Sequence, residues 1–335
     1  MVVVFHFTAG RFSSELGPLP SFVYNMGPLA VSWFFVLSGF IIAHNYPTLV
    51  TNQERRNFLV LRIARLWPVH AVILTLGLFL RLYHPNGPWL LFQYTMTQSW
   101  SLNADIAQGY NGPAWSISCE FFFYIAYVAM VAPWRWLRIM VVAGLMMAAV
   151  LPLTYGQIDP SAIGTATYNY FVFEFPPSRL IEFAAGVALC RFKIRVPQVI
   201  GLVAAGTVFS EPVSNMAMRE LLIVIGGGAL IASLARDGWL SRALSFPLLV
   251  IGGEISYSIY MSHEVINAVI LPHIKGWGLL ETFCLVTSAT LLASALLFYF
   301  VEAPCRDFVK SRLKPRGERS LGESFKEELA RSGTS

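Results

Sequence analysis

Apolar runs recur along the whole chain, separated by short stretches that hold most of its Pro, Gly and charged residues. A helix needs about 20 apolar residues to cross the hydrocarbon core of a bilayer, and backbone exposed to lipid must satisfy its own hydrogen bonds. The pattern therefore predicts membrane-spanning helices over residues 27–46, 66–83, 116–133, 137–153, 178–190, 199–209, 221–235, 249–270 and 279–301. A further apolar run, 1–8, is too short to span and reads as the second half of a helix truncated at the N-terminus. The expected fold class is thus all-α, a polytopic transmembrane bundle of about ten spans. Residues 1–305 form one membrane domain, and 306–335 a polar tail, expected to be disordered or a solvated helix beyond Lys314.

Composition agrees with the pattern. Of the 335 residues 56% are hydrophobic and 13% charged, against roughly 25% charged in soluble domains. No basic stretch precedes the first apolar run, so no cleaved secretory signal is expected. The net charge of +5 fits basic loops between helices and gives no reason to expect a nucleic-acid partner. Lys and Arg collect in alternate connections: Arg55, Arg56, Arg62 and Arg65, then Arg135 and Arg138, then Arg191, Lys193 and Arg195, then Arg236 and Arg242, and finally the tail. By the positive-inside rule both termini are expected on the cytoplasmic side of an inner or plasma membrane. Cys119, Cys190, Cys284 and Cys305 are far apart in or near apolar segments and read as packing residues. His44, His70, His84 and His273 fall at predicted span ends or loops without ligand spacing, so no metal site is expected.

Against this lipid-like background, several polar features carry possible chemistry. His6 sits inside the truncated apolar run, where an ionisable residue is either functional or a partner between helices. In Phe34-Phe35-Val36-Leu37-Ser38-Gly39-Phe40 a small pair interrupts bulky residues. Ser38 and Gly39 form either a packing notch or room for a thin acyl chain. Arg62 and Arg65 lie one turn apart on one helix face, as membrane anchors or as a paired phosphate clamp. Trp67 beside them fits the interfacial belt or a base-stacking role. Trp115-Ser116-Ile117-Ser118-Cys119-Glu120 leads into Tyr124 and puts a carboxyl group inside a span, which insertion scales penalise by up to roughly 3 kcal/mol. Ser116 and Ser118 are also candidates for capping that helix.

Arg179 and Glu182 stand at i, i+3, an intrahelical pair or site residues, above the small residues Ala184, Ala185 and Gly186 that imply a close helix contact. The segment Gly253-Glu254-Ile255-Ser256-Tyr257-Ser258-Ile259-Tyr260-Met261-Ser262-His263 sets alternating Ser and Tyr ahead of a membrane histidine, and Val301-Glu302-Ala303-Pro304 closes the last span.

Taken together and in this order, these motifs resemble the acyltransferase-3 family of membrane O-acyltransferases, from His6 to about Arg306. The resemblance implies transfer of an acyl group, commonly acetyl, from cytoplasmic acyl-CoA to a hydroxyl. The acceptor would be a cell-surface or exported glycan, a glycolipid or a small hydroxylated molecule. Acyl-CoA would act as a co-substrate, with no permanently bound cofactor. His6 would be the catalytic base and Arg62 with Arg65 the CoA-phosphate contacts. Glu120 is assigned to orient His6. Ser38, Gly39, Trp115, Tyr124, Arg179, Glu182, Ser256, Tyr257, His263 and Glu302 are assigned to site support or the substrate path. Family members carry an Arg about three turns, roughly 16 Å, before the histidine. Here that position precedes Met1, so either the start lies further upstream, which is favoured because a half-helix leaves backbone groups unsatisfied in lipid, or the chain is a shortened, inactive form. The short tail implies the stand-alone type, without an extracytoplasmic SGNH domain. A transporter or flippase of lipid-linked sugars is the rival reading, disfavoured because the sequence shows no inverted repeat and no matching broken helices.

Overall fold

A computed structural model describes residues 19–84, 87–101, 104–108, 110–131, 174–210 and 216–313. His6 with its apolar run, the 137–153 span and the tail from Lys314 lie outside the described residues. Within them the chain forms only helices and loops. The helices are α1 (Leu19–Asn45), α2 (Asn52–Phe79), α3 (Gly87–Tyr94), α4 (Ala104–Gln108), α5 (Trp115–Val131), α6 (Pro176–Arg191), α7 (Gln198–Ser210) and α8 (Met216–Leu234). They continue as α9 (Trp239–Leu244), α10 (Pro247–Glu254), α11 (Ser256–Ile270), α12 (Leu279–Leu297) and α13 (Ala303–Leu313). By length and composition three are apolar enough to cross a membrane: Asn52–Phe79, Gly112–Val131 with its leading 3₁₀ turn, and Leu279–Leu313.

Two boundaries differ from the sequence expectation for local reasons. Residues 52–65, expected to lie in a basic loop, are the first turns of α2. Thr51 accepts from Glu54 N while the Glu54 side chain accepts from Thr51 N, so two orphan donors at the helix start are satisfied reciprocally. Arg55 is buried there and donates to Leu49 O at 2.9 Å and Val50 O at 2.6 Å, fixing the α1–α2 turn. The expected 249–270 span is broken at Ile255 into α10, which buries none of its residues, and α11. His70, expected at an interface, is 1% exposed in the middle of α2 and donates through Nε2 to Gln93 O at 2.7 Å. Gln93 in turn donates to Ile106 O, so this histidine ties α2 to the loops that precede α5.

The core is aromatic. Phe35 on α1, Phe123 on α5 and Phe183 on α6 pack in series, with ring centroids 5.0 Å and 5.1 Å apart. What lets α1 and α6 approach is a pair of glycines facing opposite backbones. A Cβ at Gly39 would overlap Phe183 O, and one at Gly186 would overlap Val36 O. The close contact expected below Ala184-Ala185-Gly186 is therefore present, and Gly39 serves as a packing notch. Trp33 extends the layer by donating from Nε1 to Ile223 O of α8 at 2.9 Å. Gly39→Ala and Gly186→Ala are each expected to lower the melting temperature of the detergent-purified protein, because overpacking costs typically about 1–3 kcal/mol. Unchanged melting in both variants would contradict this crossing.

Candidate active site

Glu120 lies in the second turn of α5 and is 3% exposed. Its carboxyl group meets the hydroxyls of Tyr124, one turn along α5, and of Ser38 on α1, and the charges of Arg65 and Arg62 act on it from α2. Oε1 has no hydrogen-bond partner among the described residues. Three separate helices thus aim polar groups at one buried carboxyl, which is the arrangement that allows a carboxylate in an apolar bundle.

The two arginines differ in how they are held. Arg62 donates through Nη2 to the Tyr46 hydroxyl at 3.1 Å, and its guanidinium lies 5.2 Å and 5.8 Å from the ring centroids of Tyr46 and Phe58. Arg65 is exposed and makes no hydrogen bond or ion pair among the described residues, yet its charge acts on Glu120, Tyr124, Tyr257 and Glu302. A guanidinium fork held near buried carboxyl groups and open on its outer side matches an oxyanion pair such as a pyrophosphate. Trp67 is spent on a backbone contact, Nε1 to Tyr94 O at 2.9 Å.

The closing side of this layer comes from α11 and the end of α12. Tyr257 donates to Leu66 O at 2.6 Å, on the turn that carries Arg65 and next to Pro68, whose ring removes one helix hydrogen bond. Ser258 donates to Glu302 Oε2 at 2.8 Å, and both side chains are buried. Glu302 reaches that position because Phe298–Glu302 is a π-helical turn joining α12 to α13. The extra residue in such a turn rotates the following side chains relative to a regular helix. Ser38, Arg62, Arg65, Glu120, Tyr124, Tyr257 and Glu302 are accordingly brought together, with Ser258 as a partner that the sequence did not single out.

Other candidates lie elsewhere. Ser256 is exposed at the start of α11 and bonds only to Gly253 O. Arg179 pairs with Glu182 at 2.9 Å and donates to Ser32 at 2.6 Å, a clasp between α6 and α1 under the Phe35 ring. Ser116 shares a 2.9 Å hydrogen bond with Tyr260 and donates to Pro113 O, so it joins α5 to α11 and does not cap the helix through its amides. His263 is fully buried, with Nδ1 donating to Tyr260 O at 2.7 Å one turn back. Trp115 edges onto Phe35 at 6.0 Å and belongs to the aromatic core.

Comparison with known proteins places this geometry. The chain matches the acyltransferase domain family over residues 1–299. It belongs to the acyltransferase-3 family. It is 27% identical to acyltransferase MdmB of Streptomyces mycarofaciens, over 87% of this chain and 84% of that protein. It is 28% identical to the exopolysaccharide production protein ExoZ of Rhizobium meliloti (strain 1021), over 84% of this chain and 90% of that protein. No solved structure is significantly similar to it. The protein is therefore an enzyme that transfers acyl groups.

The Ser258–Glu302 bond gives a direct test of how the layer is held. Ser258→Ala leaves a buried carboxyl without its donor, which costs about 1–3 kcal/mol, whereas Ser256→Ala removes only an exposed bond. The first variant is expected to melt clearly below the second in a detergent thermal-shift measurement, and equal melting would contradict the assignment.

Proposed function

We propose that the protein moves an acetyl group from cytoplasmic acetyl-CoA to a hydroxyl of a cell-surface or exported glycan or glycolipid, as a multi-pass enzyme of the plasma membrane with both termini cytoplasmic. The observation that carries this reading is the convergence of Arg62, Arg65, Tyr124 and Ser38 on the buried carboxyl group of Glu120. Phosphate-binding guanidinium groups and a buried carboxyl side by side are what a CoA thioester and a general-base histidine require together. The name of one relative, an exopolysaccharide production protein, supports a glycan acceptor.

In the proposed reaction the acceptor oxygen attacks the thioester carbonyl carbon while His6 takes its proton, since an alcohol is a poor nucleophile at neutral pH. The tetrahedral intermediate then expels the CoA sulfur, which leaves as the thiol with the proton from the imidazolium. Glu120 orients the imidazole and stabilises its protonated form, the part a carboxylate plays in hydrolase triads. Arg62 and Arg65 hold the CoA phosphates, with Arg65, the more exposed of the two, at the entrance.

Membranes containing the protein are expected to release CoA from acetyl-CoA in an acceptor-dependent manner. His6→Ala should abolish that release, and Glu120→Gln should lower it by at least about 100-fold at normal expression, a typical general-base contribution. Full activity in either variant, measured by thiol release, would refute the role assigned to that residue.

A further inference from the structure

One carboxyl group outside the Glu120 layer is built as a site and has no part in the chemistry above. Glu174 precedes α6, is 6% exposed, and was not singled out by the sequence because no charge periodicity marks it. One of its oxygens accepts from the Gln108 side-chain amide, and Oε2 is buried with no partner among the described residues. Its backbone oxygen accepts from Cys119 Sγ at 3.5 Å, and Cys119 is the immediate neighbour of Glu120 on α5. Glu174 is therefore linked through its backbone to the residue of α5 that precedes Glu120.

An aromatic platform packs on Phe175, the next residue in the chain. Trp100 is 43% exposed, and its ring meets Phe122 at 5.2 Å and Phe175, the residue after Glu174, at 5.8 Å, both edge-on. The 3₁₀ turn that carries Trp100 is fixed to the start of α5 by Gln98 Nε2 donating to Ala114 O at 2.7 Å and Ser99 Oγ donating to Trp115 O at 3.0 Å. A rigid, partly exposed indole packed on Phe175, the residue after a buried carboxyl that is bonded to a carboxamide, suits a polyhydroxylated ring. The C–H face of the sugar lies on the aromatic surface, and its hydroxyls donate to the carboxyl oxygen.

We propose that Glu174, with Gln108 and Trp100, is the acceptor-binding subsite, which holds a sugar unit of the glycan by its hydroxyls next to the acyl-transfer layer. This rests on the reading of the protein as a glycan acyltransferase. Burial pushes the Glu174 carboxyl up to about 7, opposed by the Gln108 hydrogen bond. Among the described residues the groups facing it are the Gln108 amide, which does not titrate, and Cys119, a buried thiol; Arg179 and Glu182 further along α6 are paired with each other. The carboxylate, the better acceptor for sugar hydroxyls, predominates above pH 7. Acceptor binding should therefore tighten as pH rises through about 7 and weaken as it falls.

The test uses full-length protein in membranes, acetyl-CoA, and as acceptor the surface glycan of the source cells freed of O-esters by mild alkali. Glu174→Gln and Gln108→Ala are expected to raise the KM for this glycan about tenfold, the loss given by one hydrogen bond to a charged group, with the KM for acetyl-CoA unchanged. The fall in glycan KM between pH 6 and pH 8 should vanish in Glu174→Gln. Gln108 is exposed, so its variant does not depend on repacking a buried site. A glycan KM unchanged in both variants, an equal rise in both substrates' KM, or a pH profile that persists in Glu174→Gln would overturn the subsite while leaving acyl transfer to glycan standing. Absence of glycan-dependent CoA release in the wild type would overturn the functional reading and the subsite with it.

Discussion

Carboxyl groups inside an apolar bundle require facing cations and donors, and much of the described structure around the site can be understood as meeting that requirement. Glu120 and Glu302 are nearly fully buried, where an uncompensated charge costs several kcal/mol. Arg65 acts on both of them, Arg62 on Glu120, and Ser38, Tyr124 and Ser258 supply hydroxyls. Each partner comes from a different place in the chain, so α1, α2, α5, α11 and the α12–α13 junction must meet at one level. The glycine crossing of α1 on α6 and the π turn before Glu302 are the backbone devices that permit it.

Arg62 is held more firmly than a simple membrane anchor requires. A membrane anchor needs only a headgroup nearby, whereas Arg62 is seated on the rings of Tyr46 and Phe58 and hydrogen-bonded to the Tyr46 hydroxyl. Arg65 remains open at the edge of the same layer. In the proposed function this pair receives the anionic carrier beside the buried carboxyl group. In the proposed scheme the acceptor approaches from the opposite side of α5, past Cys119.

Much of this was legible in the sequence, because apolar periodicity and the i, i+3 spacing of Arg62 with Arg65 are local properties. The i, i+3 pairing of Arg179 with Glu182 was legible for the same reason, and the structure contains it. The start of α2 was also written locally, in Thr51-Asn52-Gln53-Glu54, but the basic residues that follow resembled a loop. Other features depend on tertiary context. His70 looks interfacial until Gln93 is seen to fold over it. Ser256 and Ser258 look equivalent until the break at Ile255 turns one outward and the other onto Glu302. Glu174 carries no pattern at all, and only the fold brings Gln108 to its carboxyl and Trp100 onto the neighbouring Phe175.

The central claim is that Arg62 and Arg65 form the phosphate end of a CoA site next to Glu120, and direct binding of radiolabelled CoA to the purified protein tests it without any acceptor. The account predicts that Arg65→Ala and Arg62→Ala each weaken CoA binding by about tenfold or more, as expected for a lost charge-assisted contact, and that Glu120→Gln binds CoA at least as well as the wild type. Undiminished CoA binding in the double variant Arg62→Ala/Arg65→Ala would contradict it.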